Sequence, residues 1–155
     1  MPRIERPRRF AWIAVAIALF ASDANAVFIV NQPWLRPAAK GQSTEVYMNV
    51  TSTEGAAIVA VRSPVARSAV LLAAGNRDKP LERLHLPPGE LVRLAPGGRR
   101  IALSEMRRAV NLGEVIELTL VLRLPGGERR EIPVKVEARL HSPLDDERRA
   151  HSQPH

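Results

Sequence analysis

The sequence contains no cysteine among its 155 residues. This absence excludes disulfide frameworks, thiolate zinc sites, iron–sulfur clusters, cysteine nucleophiles and copper sites with a cysteine ligand. Other soft or borderline metal ligands are few, because the chain has four histidines and, after Met1, only Met48 and Met106. Aromatic residues make up 4% of the chain, so it has few of the stacking side chains that bind single-stranded nucleic acid. We therefore expect no nucleic-acid partner.

The first residues have the layout of a secretory signal peptide. Four arginines precede an uncharged apolar run over 10–21, and Ala24-Asn25-Ala26 then places small residues at the two positions that a signal peptidase reads. The run is shorter than the ~20 residues that a membrane-spanning helix needs, which favours cleavage after Ala26 over a retained membrane anchor. Cleavage lowers the net charge from +7 to +5. The mature chain is then expected in the periplasm, with no membrane span.

The mature chain has the two-residue periodicity of β-strands. Apolar and polar residues alternate over 116–124, a turn containing Gly126 and Gly127 follows, and the alternation returns over 132–136. This pattern predicts a β-hairpin, and Pro133 predicts that its second strand lies at an edge or has an interrupted ladder. A further strand is predicted around Met48. Five shorter apolar runs predict strands at 58–61, 69–73, 84–86, 91–94 and 101–103.

Short strands at this spacing predict a single all-β domain, a β-sandwich of antiparallel strands. We assign residues 1–26 to the signal peptide, 27–137 to the sandwich and 138–155 to a disordered polar tail, because the apolar pattern stops there. Residues 104–110 are predicted to form a loop or a single turn. The chain has no nucleophile–base spacing and no glycine-rich phosphate loop, so we expect that it is not an enzyme.

Several short segments follow one another in a distinctive order. They begin with Trp34-Leu35-Arg36, end with the hairpin, and include Lys79-Pro80-Leu81-Glu82, Leu84-His85-Leu86-Pro87-Pro88-Gly89 and Leu94-Ala95-Pro96-Gly97-Gly98. This order, from Asn31 to Val136, resembles the bacterial periplasmic copper chaperones called PCuAC. The resemblance implies a cupredoxin-like β-sandwich that binds Cu(I) through His and Met. It also implies delivery of copper for the assembly of cytochrome c oxidase.

The copper ligands that the resemblance implies are missing from this sequence. Counted from the Pro-Gly-Gly turn, the family's His-x-Met positions hold Arg100 and Ala102, and its single upstream Met position holds Asp78. The family's earliest His and Met fall within 67–74, which contains neither. Because arginine is permanently cationic, we expect no Cu(I) here and no cofactor. Two interpretations remain: an Asp78–Arg100 ion pair replaces the metal, or both side chains point into solvent.

Other candidate ligands are scattered along the chain. His85 alternates with apolar neighbours and is expected to face solvent, Met48 is expected in the core, and the position of Met106 stays undecided. Three histidines lie in the predicted tail: His141, His151 and His155. They predict either a weak site for Cu(II), Ni(II) or Zn(II), or a plain solvated segment.

Two classes of function follow. The first is a copper-handling protein of PCuAC type that has lost or moved its ligands. The second is a metal-independent module that uses the same scaffold to bind a periplasmic or membrane-bound protein of respiratory-complex assembly.

Overall fold

A computed structural model describes residues 26–152. Residues 1–25 of the predicted signal peptide and His155 lie outside the described residues. Within the described range the elements are β1 Phe28–Leu35, β2 Thr44–Ser52, β3 Ala56–Arg62, β4 Ala66–Leu72, β5 Leu84–Leu86, β6 Leu91–Leu94, β7 Arg100–Met106, β8 Val115–Arg123, β9 Arg129–Ala138 and α1 Pro143–His151. No helix in this range is long and apolar enough to cross a membrane.

The strands form one sheet in the order β4-β7-β2-β1-β9-β8-β3-β5, and β6 pairs with β2. Strands β1 and β9 are parallel and pair only through Trp34 with Glu137 and Leu35 with Ala138. The other pairings between these strands are antiparallel. The curved sheet encloses one apolar core to which both of its halves contribute. The predicted all-β fold, a single domain of short antiparallel strands, is confirmed.

Strand β8 shows how alternation in the sequence builds this core. Ile116, Leu118, Leu120 and Leu122 are at most 2% exposed, whereas Glu117 between them faces solvent. Burying each such apolar side chain stabilises the fold by roughly 1.5–3 kcal/mol. The periodicity read from the sequence therefore identifies the inward face of this strand correctly.

The predicted hairpin is confirmed as β8 and β9, with Leu120 opposite Ile132. Its turn has Gly127 at a φ of 86°, a conformation that glycine adopts without a steric clash. Around Pro133, β9 pairs only with β8, so this part of the strand lies at a sheet edge, in agreement with the first of the two outcomes predicted from the proline. The ladder between β8 and β9 continues through Pro133. The strand predicted around Met48 is β2, and the five shorter runs are β3 to β7.

Two strand predictions need correction. Strand β1 escaped prediction because Asn31-Gln32-Pro33 interrupts its alternation; the pairing register with β2 shifts there, and Gln32 has a φ of 52°. The loop or single turn predicted over 104–110 is wrong for its first part, because Ser104 and Met106 continue β7 and pair with β4. Met106, whose position the sequence left undecided, is 2% exposed in the core.

The segment predicted as a disordered tail contains α1. The Ser142 side chain accepts a hydrogen bond from the Leu144 N–H, and Pro143 occupies the start of the helix. Acidic residues lie in the first turn and basic residues in the last, which complements the helix dipole. No residue of α1 is buried. The prediction considered only burial and missed that caps and charges favour a helix here. Strand β9 also reaches buried Ala138, one residue past the predicted boundary.

Candidate functional site around Arg100

The candidate site lies on the outer face of β2 and β7. Ile101 and Leu103 of β7 point into the core, so Arg100 and Ala102 lie on the opposite face of the strand. Glu45 of β2 pairs with Ala102, and Leu72 of β4 pairs with Arg100. The register of three adjacent strands therefore brings Glu45, Arg100 and Ala102 together.

Arg100 is buried although it lies on this outer face. The loop over 73–80 passes across the end of β7, and the Arg100 side chain is only 6% exposed. Its guanidinium donates to five acceptors: Glu45 Oε1 at 2.8 Å, Asp78 Oδ1 at 2.7 Å, and the carbonyl oxygens of Ala73 at 3.1 Å, Gly75 at 3.5 Å and Gly98 at 3.2 Å. One side chain thus connects β2, the loop over 73–80 and the loop over 95–99.

The electrostatics of the site follow from these contacts. The hydrogen bond from Arg100 to Glu45 raises the pKa of the guanidinium, while burial acts in the opposite direction and the contacts to Asp78 add to the rise. Arginine is charged at every physiological pH. The site therefore contains a permanent buried cation balanced by the carboxylates of Glu45 and Asp78. The Glu45 side chain is 37% exposed and the Asp78 side chain is 79% exposed.

Tyr47 supports Glu45 from the neighbouring position on the same face of β2. Its hydroxyl donates a hydrogen bond to Glu45 Oε2. Burial, and then this hydrogen bond, raise the pKa of the Tyr47 phenol well above its ordinary range, so the phenol stays a donor. The centroids of the Tyr47 and Trp34 rings lie 4.7 Å apart. The Arg36 guanidinium lies 6.0 Å from the centroid of the Tyr47 ring. The two carboxylate oxygens of Glu45 therefore both accept hydrogen bonds from protein donors.

A groove of about 460 Å³ opens beside the ion pair. Glu45, Asp78 and Ala102 line it, together with Arg36 and Ser104. Its lining is largely polar, with carboxylate oxygens from Glu45 and Asp78 and a hydroxyl group from Ser104.

The structure brings the three substituted positions of the sequence analysis together. Asp78 and Arg100 are in direct contact, and Ala102 lines the same groove as Asp78. Sequence reasoning missed Glu45 and Tyr47, as well as the carbonyl acceptors. No motif marks these residues, because only the pairing of β2 with β7 brings Glu45 to Arg100.

Comparison with known proteins identifies the family. The LpqE-like family model matches residues 29–136. The chain belongs to the LpqE-like family. A comparison with curated proteins gives no match.

The solved structures most similar to this LpqE-like chain include PCuAC domains. The apo PCuAC domain from PmoF1 is 27% identical with a TM-score of 0.59, covering 72% of this chain and 94% of that one. The copper-bound PCuAC domain from PmoF2 is 27% identical with a TM-score of 0.57, covering 72% and 93%. The Cu(I) form of DR1885 from Deinococcus radiodurans, 21% identical with a TM-score of 0.56 over 77% and 85%, shares the fold. The resemblance to PCuAC and the cupredoxin-like fold are confirmed.

The residues at the site do not fit Cu(I). Cu(I) prefers thioether, thiolate and imidazole ligands, whereas this site offers carboxylate and carbonyl oxygens around a guanidinium. The two methionines of the domain, Met48 and Met106, are both 2% exposed in the core. His85 is exposed on β5, away from this group of contacts.

The tail histidines are not gathered into a site. His141 precedes α1 and His151 ends it, so the two lie at opposite ends of the helix. Among the described residues there is no group of three or more His, Cys, Asp or Glu side chains that could hold a metal ion. A tail metal site that includes His155 stays a prediction.

Proposed function

We propose that this LpqE-like protein is an exported, PCuAC-type module that binds a protein partner without Cu(I). The observation that carries the proposal is the contact set of Arg100. A buried guanidinium with five acceptors occupies a position that the resemblance to PCuAC assigns to a metal ligand. The ion pair and its carbonyl contacts then hold the loops in the way that a metal centre would.

The chemistry of the contacts supports this assignment. Each facing oxygen of Glu45 and Asp78 already accepts a hydrogen bond from Arg100, at 2.8 and 2.7 Å. A metal ion bound to these oxygens would either lie against the positive charge of the guanidinium or displace it, and breaking a buried ion pair costs about 3–5 kcal/mol where both partners are fully desolvated. Here the carboxylates are partly hydrated, so the cost is smaller, but Cu(I) also gains little from hard oxygen ligands. Both effects favour a site without copper.

The proposed partner is a periplasmic or membrane-bound protein of respiratory-complex assembly, because the resemblance to PCuAC implies a role in the assembly of cytochrome c oxidase. Export rests on the signal-peptide pattern of residues 1–26. A lipid anchor attached through a thioether bond needs a cysteine, and the 155 residues include none. We also propose a binding role rather than a catalytic one, since the site has no activated nucleophile.

The second candidate is copper handling through other ligands. A copper-bound PCuAC domain is among the similar structures, and three of the four histidines of the chain lie in the tail. Calorimetry with Cu(II) on the mature chain and on a chain ending at Leu140, which keeps all of β9, tests this candidate. Heat that disappears with the truncation would favour it.

The direct test of the proposal is a Cu(I) titration of the mature protein against a chromophoric chelator. We expect the chelator to keep its copper. Withdrawal of copper by the protein with a dissociation constant tighter than about 1 nM, near −12 kcal/mol in binding free energy, would overturn the proposal.

A further inference from the structure

The loops around Arg100 carry an uneven distribution of charge. We define the platform as residues 73–80 and 95–99. It contains three cations, Arg77, Lys79 and Arg99, and all three are exposed. Its one acidic residue, Asp78, is paired with Arg100.

None of these three cations takes part in an ion pair within the described part of the chain. The next acidic residue along the chain, Glu82, forms no ion pair with them either. Elsewhere among the described residues five arginines have carboxylate partners, such as Arg62 with Glu131 and Arg108 with Glu114, and others, such as Arg93 and Arg123, have none. The platform therefore has an excess of positive charge that its own fold does not balance.

The two loops of the platform are held against each other. The Gly75 N–H donates to the Gly97 carbonyl at 3.3 Å. Arg100 donates to carbonyl oxygens of both loops, Gly75 in one and Gly98 in the other. Leu72 and Pro80 form a bridge at the base of the first loop. A surface ordered in advance loses little conformational entropy when a partner binds.

We infer that the platform is a docking surface for an acidic protein surface. This inference rests on the proposed function and names the charge of the partner. Opposite charges across an interface speed association and select among partners, and three exposed cations on adjacent, fixed loops supply one side of such a pairing. Arg100 then acts as a positioning residue, because it holds the loops without touching the partner.

An anionic membrane is a weaker match for this surface. Stable attachment to a membrane combines basic residues with apolar side chains that enter the lipid. The platform has no exposed large apolar side chain; those of the described residues lie elsewhere, at Val27, Ile29, Leu91, Leu112, Val115 and Leu140. The observations therefore favour a protein over a lipid surface.

The test measures binding of the mature protein to immobilised poly-L-glutamate at low and moderate salt. The platform variant is R77A/K79A/R99A. Its matched control is K40A/R107A/R148A, which removes the same charge from exposed cations that lie outside the platform and also lack ion pairs in the described residues. Unfolding curves followed by Trp34 fluorescence establish that both variants are folded.

We expect the platform variant to lose about tenfold or more in affinity, from three exposed charge contacts of modest strength each. The control variant is expected to lose much less. An equal loss in both variants would overturn the inference, because net charge alone would then explain binding, and so would a wild-type protein that does not bind poly-L-glutamate. Platform-dependent binding to phosphatidylglycerol vesicles in preference to the peptide would overturn it in favour of a membrane. None of these readouts involves copper, so the proposed function can fail separately through the Cu(I) titration.

Discussion

Replacing Arg100 with methionine tests how much the buried guanidinium stabilises the fold. Methionine keeps a flexible apolar stem of similar length, so the packing of the side chain is largely preserved. The change removes five hydrogen bonds. It also leaves Glu45, whose side chain is only 37% exposed, without its nearest cation.

The expected cost follows from these contacts. Removing one partner of a fully buried ion pair costs about 3–5 kcal/mol. Asp78 is 79% exposed and regains water easily, so its contact adds little, and Glu45 regains part of its hydration. The three carbonyl oxygens lose their donor, at about 1 kcal/mol for each that water does not reach. We expect Arg100→Met to lower the free energy of unfolding by about 3 kcal/mol, or Tm by about 10 °C for a domain of this size.

Urea unfolding measures this loss, with Trp34 as the fluorescent reporter because it packs on Tyr47 beside the site. The m-value is expected to stay unchanged. Arg62→Met is the matched control, since Arg62 pairs with Glu131 at the surface and both side chains are 60% exposed. Such a pair contributes up to about 1 kcal/mol. If the two variants lose the same stability, Arg100 does not hold the loops and the reasoning is refuted.

Two predictions concern pH. The single tyrosine, Tyr47, is expected to ionise well above its ordinary pKa of about 10 in an absorbance titration, because burial and then Glu45 raise it; Glu45→Gln is expected to lower this pKa only in part. Because the pKa of Tyr47 is higher in the folded than in the unfolded chain, its contribution to stability is complete below the unfolded pKa and is lost as pH rises toward the folded pKa. Titration of Tyr47 at its ordinary pKa would contradict the buried contact. The hydrogen bond from Arg108, and then that from Asn111, lower the pKa of Glu114, and NMR titration is expected to find this pKa higher in Arg108→Ala. Because the pKa of Glu114 is lower in the folded chain, its contribution to stability is present above the unfolded pKa and is lost as pH falls. The stability advantage of wild type over Arg108→Ala is therefore expected to shrink in acid. An unchanged Glu114 pKa would refute this contact.

The sequence predicts most of the strands because their alternation reflects which face is buried. Strand β8 is the clearest case, since Ile116, Leu118, Leu120 and Leu122 all point into the core. Strand β1 could not be predicted in the same way, because Gln32 takes a positive φ and shifts the register in the middle of the strand. Helix α1 depends on a cap at Ser142 and on charge placement rather than on burial.

The site is only partly visible in the sequence. A resemblance that fixes spacing along the chain singles out Asp78 and Arg100 as a candidate pair, and the contact between them comes from the structure. Glu45 lies 55 positions before Arg100, and no local pattern connects the two. Its contact depends on the register of β2 with β7, which is a property of the folded sheet.

The central claim is that Arg100 and Asp78 lie where a PCuAC-type protein would place its copper ligands. Asp78, Arg100 and Ala102 converge on one place, so soft ligands installed there can surround a single ion. The deciding measurement is the Cu(I) dissociation constant, by chelator competition, of wild type beside the variant D78M/R100H/A102M. We predict that the variant binds Cu(I) and that wild type leaves the chelator fully loaded. Wild type that binds Cu(I) as tightly as the variant would contradict the account.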